Sequence, residues 1–301
     1  MPIYLNQSNK LIEVEEKAFK LEREMQKVFE DNLGTIMGLT LVKSEFTIQN
    51  KRTDTLAYDK QSKAFIIIEY KRDKSLSVVD QGFTYLSLML ENKADFIVEY
   101  NETLKQNLKR EDVDWSQTRV AFVSTFFTEN QILATNFKDI AIELWEVKQF
   151  ENNLISVNAI KKTKSAESIK PLTQQNQALK KVIDEIKVYT EDEHIASTTE
   201  EIAELYVKFR DAVLNLADGM EIKPQKLYIA FKKDSNVVDI SLQKKALKLW
   251  INAKFGTIED AKGIAKDVSN IGHHGNGDYE IQVNSDKDLE YIMSLIKQVI
   301  K

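Results

Sequence analysis

The sequence predicts an α/β protein in two parts. A mixed sheet layered with helices is expected over residues 1–160, and a smaller α+β domain over 198–301, with a linker or connecting helix at 161–197 between them. Three observations carry this. Strand-like and helix-like stretches alternate between residues 39 and 147, the pattern of a sheet covered by helices. Composition shifts after Ile160 toward Lys, Glu, Gln, Ser and Thr. Beyond residue 200 a helix is followed by a fresh run of short strands.

Taken in order, residues 13–33 read as an amphipathic helix, with Ala18, Leu21, Met25, Val28 and Phe29 near helical spacing. Glu22 falls inside that apolar arc, where an ordinary reading is a boundary acid paired with a neighbouring Lys. Two strands follow within 39–58, the second alternating toward Asp54. The run Phe65-Ile66-Ile67-Ile68 is continuously apolar, as a central strand covered on both faces would be. Ser77 and Asp80 have capping-box spacing and open a helix carrying Gln81 and Tyr85 one turn apart. Residues 93–100, 119–127 and 140–147 are strand candidates, with a helical turn at 129–136. In the second part a helix over 200–218 precedes strands starting near Lys226, Asn236 and Ala246, a tight turn at 234–236, a strand at 279–283 and a closing helix at 286–300.

Composition excludes several classes. The 301 residues contain no Cys, so neither a disulfide framework nor a thiolate metal site is available. No apolar run approaches the roughly 18–20 residues of a membrane span, and residues 1–17 lack the basic-then-apolar layout of a signal peptide. Cytoplasmic residence without a membrane partner is therefore expected. A net charge of −5 argues against non-specific coating of nucleic acid, yet leaves room for a local basic cleft.

The chemistry concentrates between Asp54 and Tyr85. The apolar run stops abruptly at Glu69-Tyr70-Lys71. Glu69 and Lys71 are two apart, so on a strand they share a face. A hairpin through residues 59–63, a mirror about position 61, brings Asp54 close to Glu69 to within a residue or two of register. Two carboxylates and an ammonium on one patch suit a hard cation with a water-orienting group beside it. The competing reading is a surface ion pair, of a kind that contributes only about 0–1 kcal/mol when exposed. Arg52, Arg72 and Lys74 flank the patch as candidate phosphate contacts. His273 and His274 in GHHGNG diverge as neighbours and lack a third ligand, so a polar turn is a better reading than a zinc site.

Asp54, the E-x-K of Glu69 and Lys71, and their spacing resemble the PD-(D/E)XK nuclease superfamily, with Thr53-Asp54 standing where the name has Pro-Asp. Gln81 and Tyr85 resemble the Q-x-x-x-Y helix motif of its RecB-type members. This resemblance implies a restriction-endonuclease-like mixed sheet and a Mg²⁺- or Mn²⁺-dependent (deoxyribo)nuclease of bacterial defence or repair. It implies Asp54 and Glu69 as metal ligands and Lys71 as the residue assisting the water. It further implies a supporting Glu from the first helix, Glu22 before Glu24, and Gln81 with Tyr85 holding the attacked strand or the water. The expected partner is nucleic acid, DNA before RNA, and a homodimer stays open as an assembly. The rival is a nuclease-like module that binds nucleic acid or a protein without cutting.

Residues from about 200 onward resemble a small prokaryotic domain family of unassigned function, in chains loosely labelled predicted transport proteins. That resemblance implies architecture rather than activity. A nucleic-acid or partner contact through Lys226, Lys232, Lys233 and Lys244 is the expectation for this part.

Overall fold

The computed structural model describes residues 2–72, 77–163, 165–174, 176–233 and 235–300. The chain is mixed α/β and forms two compact units, residues 1–188 and 189–301. The first begins with β1 (Ile3–Gln7) and β2 (Lys10–Val14), then β3 (Glu16–Lys17), α1 (Glu22–Asp31) and α2 (Leu33–Met37). Next come β4 (Thr40–Ile48), β5 (Lys51–Asp59), β6 (Ala64–Lys71), α3 (Val78–Glu91), α4 (Lys93–Leu104), β7 (Arg119–Ser124), α5 (Glu129–Thr135), β8 (Ile142–Phe150) and β9 (Ile155–Ile160). The short helices α6 (Lys170–Thr173) and α7 (Gln177–Glu185) complete it.

Among the described residues the main sheet has the order β3-β8-β7-β6-β5-β4, with β9 also on β8. The β6–β7 and β7–β8 pairs are parallel, and β4–β5 and β5–β6 are antiparallel. β6 is central, and residues 64–70 are all buried, which is why they read as an unbroken apolar run. Phe65 and Ile67 face a core with Phe83, Leu86 and Met89 of α3 and Phe96 and Tyr100 of α4. Ile66, Ile68 and Tyr70 face Met25 and Phe29 of α1. Helices thus cover both faces, and the chemistry-bearing residues emerge where β6 ends.

Three elements differ from expectation. Of the helix expected over 13–33, residues 13–14 end the β1–β2 hairpin, 16–17 form β3, and only the later part is helical. Ser8 and Asn9 adopt φ of 51° and 66°, the two-residue left-handed turn that hairpins favour, and α1 starts only at Glu22. Leu21, expected on the buried arc, precedes α1 and is exposed. Residues 93–100, expected as a strand, lie in α4. Phe96, Ile97 and Tyr100 are its buried positions, one helical turn from end to end, and that spacing outweighs the β-like composition. The stretch 161–197, expected as a connector, is divided between the units. Ile169, Val182, Ile183 and Ile186 are buried in the first unit's core, so the polar composition marks only the outer face of α6 and α7.

The second unit contains α8 (Glu191–Ala196), α9 (Glu200–Leu214), β10 (Glu221–Pro224), β11 (Ile229–Lys232), β12 (Asn236–Leu242), β13 (Leu247–Ile251), β14 (Lys266–Asp267), β15 (Tyr279–Val283) and α10 (Leu289–Lys297). Its sheet runs β10-β11-β12-β13-β15-β14, antiparallel throughout. Alternate residues (Ile229, Phe231, Leu249, Ile251, Ile281) share a core with Phe209 of α9 and Ile292 and Ile296 of α10. The Gly-rich loop lies against the sheet. A Cβ on Gly277 would stand 1.8 Å from the Ile251 carbonyl oxygen, so only glycine permits that approach. His273 stacks on Trp250, with ring centroids 6.2 Å apart. The turn expected at 234–236 includes Asp234, outside the described residues. The closing helix expected from residue 286 starts at Leu289, and Asp286 pairs with Lys208 at 2.6 Å.

Candidate active site

The β5–β6 hairpin runs in register from Asp59–Ala64 to Thr55–Ile68, so the next pair outward is Asp54 with Glu69. At that step side chains replace the ladder. The Asp54 N–H donates to Glu69 Oε1 at 3.1 Å, and the Tyr70 N–H donates to Asp54 Oδ2 at 2.9 Å. Lys71 Nζ donates to Glu69 Oε2 at 3.1 Å, as expected for residues two apart on one face. The mirror about position 61 would set Asp54 opposite Ile68, and the observed register is shifted by one residue, which sets it opposite Glu69.

α3 reaches the same carboxylate. Ser77 caps this helix by accepting the Asp80 N–H at 3.3 Å. One turn in, Gln81 Nε2 donates to Glu69 Oε2 at 3.2 Å and to Tyr85 Oη at 3.1 Å. The Tyr85 hydroxyl in turn donates to the Arg52 carbonyl at 3.4 Å. Gln81 Oε1 is buried with no hydrogen-bond partner among the described residues.

From the opposite face, α1 brings Glu22, whose Oε1 accepts the Arg72 N–H at 2.8 Å. The Arg72 guanidinium donates to the Lys20 carbonyl. The fallback acid Glu24 accepts the Lys20 N–H at 2.8 Å, which ties it to the helix's own start. The Arg52 side chain, largely exposed, pairs with Glu45. Lys74 lies outside the described residues.

Electrostatics set this patch apart from a surface ion pair. Glu69 is 2% exposed and Lys71 16%. Removing charges from water costs several kcal/mol per ion, more than an exposed pair returns, so stability alone gives no reason to place them here. Burial raises the Asp54 carboxyl above the ordinary 3.8, opposed by the Tyr70 N–H and the Lys71 ammonium, with Glu22 adding to the rise. Burial also raises Glu69 above the ordinary 4.5, and the Asp54 charge adds to it while Lys71 opposes. The Tyr85 hydroxyl is pushed up by burial and then by Glu69.

Among the described residues no three His, Cys, Asp or Glu side chains are gathered into a metal cage. Glu22 therefore does not join Asp54 and Glu69 in a closed three-ligand cluster. The donor set still fits Mg²⁺ or Mn²⁺, which bind through one or two carboxylates and complete their shell with water and phosphate. Asp54 accepts the Tyr70 N–H through Oδ2, and its carboxylate would supply such an oxygen.

One residue of this cluster escapes a motif-based reading. Gln26, on α1 one turn after Glu22, is 7% exposed. Its Nε2 lies 3.0 Å from Glu30 Oε1, 3.2 Å from Ser44 Oγ and 3.0 Å from the Asp54 carbonyl. The available signal is its i+4 spacing from Glu22 on an apolar helix face, where a buried amide needs partners.

Residues 191–299 match DUF5655, a domain of unknown function. Among solved structures the chain is similar to the EndoMS-dsDNA2 complex, with 19% identity and a TM-score of 0.29, covering 44% of this chain and 47% of that one. It is similar to a repair endonuclease from Pyrococcus abyssi, with 19% identity and a TM-score of 0.25, covering 44% and 49%. It is also similar to Pyrococcus furiosus SfsA in complex with Ca²⁺, with 14% identity and a TM-score of 0.26, covering 52% and 68%. The chain thus spans about half the length of the first two, and likenesses of this size carry no functional conclusion. An uncharacterized protein of Haemophilus influenzae is 54% identical over all 301 residues, covering the whole of both chains. The chain belongs to the family of that Haemophilus influenzae protein.

Proposed function

We propose that this protein is a metal-dependent nuclease that hydrolyses phosphodiester bonds in nucleic acid, DNA before RNA, in the bacterial cytoplasm. The observation that carries the reading is the linked group Asp54–Glu69–Lys71, joined to Gln81 and Tyr85 by hydrogen bonds. It supports the resemblance to PD-(D/E)XK nucleases on the same residues. Asp54 and Glu69 would hold Mg²⁺ or Mn²⁺, which when bound supplies a Lewis acid at the phosphoryl oxygen. Lys71 turns its ammonium to the Glu69 side of the strand. There it orients the attacking water and stabilises charge building on the phosphoryl oxygens. Gln81 holds the Glu69 carboxylate in place through its Nε2. Glu22 supports the group by fixing the backbone at Arg72, while Arg52, Arg72 and Lys74 contact phosphates.

One observation favours a different reading. Both Glu69 oxygens already accept from protein donors, as they would in a nuclease-like module that binds nucleic acid or a protein without cutting. A cleavage assay separates the two. Linear, circular, single-stranded and branched DNA, and RNA, are incubated with Mg²⁺, Mn²⁺ or chelator, with wild type beside Asp54→Ala and Lys71→Ala. Metal-dependent cutting lost in both variants is the expected result. Binding that persists in chelator with no cutting under any condition would instead support the binding module.

A further inference from the structure

Asp54 sits where its strand is released by a neighbour. Pairing between β4 and β5 passes from Ser44–Thr55 to Phe46–Thr53, leaving Glu45 and Asp54 unpaired between them. Glu45 has φ of 57°, a left-handed conformation that is uncommon for a residue with a side chain. Both backbone groups of Asp54 are then taken by side chains. Glu69 accepts its N–H, and Gln26 donates to its carbonyl. A backbone carbonyl at such a part-buried position needs a partner, and Gln26 provides it.

We propose that Gln26 is a positioning residue for the Asp54 carboxylate, a role that rests on the nuclease reading. Its single amide group joins Glu30 of α1, Ser44 of β4 and Asp54 of β5. The helix carrying Glu22 is thereby fastened to the strand carrying Asp54, four residues from Glu22 and on the same helix face. The backbone is held at the point where regular pairing fails, and this sets the direction of the Asp54 side chain toward Tyr70 and Glu69. Gln26 touches neither metal nor substrate. It acts through Asp54.

The test uses the full-length protein with Gln26→Leu, which keeps the bulk and removes the donor, and with Ser44→Ala, which removes one acceptor and leaves the Asp54 carbonyl bonded. Three readouts are taken: amide hydrogen exchange at Asp54 and Tyr70, Mn²⁺ affinity by calorimetry without nucleic acid, and cleavage rate against substrate concentration. In Gln26→Leu, exchange protection at both amides is expected to fall and Mn²⁺ affinity to drop about 10–100-fold, as for lost partners of metal ligands. kcat should fall with KM for the nucleic acid nearly unchanged. Ser44→Ala should stay close to wild type in all three. A Gln26→Leu protein with wild-type protection at Asp54 and Tyr70 and wild-type Mn²⁺ affinity would overturn the proposal. If instead protection falls but the wild type itself neither binds Mn²⁺ nor cuts, the positioning of Asp54 stands and the nuclease reading falls.

Discussion

Asp54 and Glu69 tie their two strands together through backbone N–H donors, against the repulsion of their own charges. The Glu69 carboxylate accepts the Asp54 N–H, and the Asp54 carboxylate accepts the N–H of Tyr70, the residue that follows Glu69. Two carboxylates so placed repel, and burial adds to the cost of charging either one. The two N–H donors and the Lys71 ammonium offset only part of this. The pair is thus short of positive charge, and a divalent cation would relieve it.

Asp54→Asn should therefore stabilise the metal-free protein at neutral pH. The folded Asp54 carboxyl titrates above its ordinary 3.8, so folding favours its neutral form. The associated stability is fully present below the ordinary value and is lost as pH rises through the raised one. Asn resembles the neutral acid and can still accept the Tyr70 N–H. A rise in midpoint of about 2–4 °C at pH 7, shrinking toward pH 4, is expected in thermal melts, equivalent to ~1 kcal/mol. Equal destabilisation at both pH values would refute this.

Metal should reverse that ranking. At one hundred times its dissociation constant, Mg²⁺ or Mn²⁺ adds about 2.7 kcal/mol to the wild type. In Asp54→Asn the gain should largely vanish, as measured by melts with and without chelator. Binding should also weaken as pH falls, because both raised carboxyls must lose their protons to act as ligands.

Lys71→Ala should separate binding from chemistry. The ammonium is bonded to Glu69 and is not a ligand, so Mn²⁺ affinity should hold or rise while kcat falls about 10²–10³-fold. Loss of Mn²⁺ binding with Lys71 would assign it a structural role instead.

Tyr85→Phe should be mild. Its hydroxyl makes a 3.4 Å bond to the Arg52 carbonyl, and Gln81 retains Glu69 without it. A loss of about 0.5–1.5 kcal/mol in denaturant titration, with activity within a fewfold of wild type, is expected.

In the second unit Gly277→Ala should be severe, because its Cβ would meet the Ile251 backbone, which cannot swing aside. Gly256→Ala meets nothing within 4 Å and bears only the strain of φ 90°. Melts should show a cost of more than ~3 kcal/mol for the first and about 1 kcal/mol for the second. Equal effects would mean that the loop gives way at Gly277.

The α/β class, the central strand and the meeting of Asp54, Glu69, Lys71, Gln81 and Tyr85 were legible in the sequence. The shared faces rest on local periodicity, two residues along the strand and four along the helix. Strand and helix facing follow directly from such spacing. The approach of Asp54 to Glu69 rests on a mirror about a short hairpin. The joining of Gln81 and Tyr85 to them was implied by the resemblance to RecB-type nucleases. Elsewhere composition misled. Residues 93–100 have strand-like composition, and only packing of Phe96, Ile97 and Tyr100 against the sheet makes them helical. Likewise α6 and α7 look like a polar connector until Val182, Ile183 and Ile186 find the first unit's core.

The sequence by itself determined which residues share a strand or helix face, because those relations are set within a few residues. The tertiary structure alone decided that Gln26 reaches the Asp54 carbonyl across 28 residues, that β4 releases Asp54 at Glu45, and that Glu69 is buried with its oxygens occupied. Those relations depend on how α1, β4 and β5 pack together. Packing is a property of the assembled layers, which no local pattern encodes.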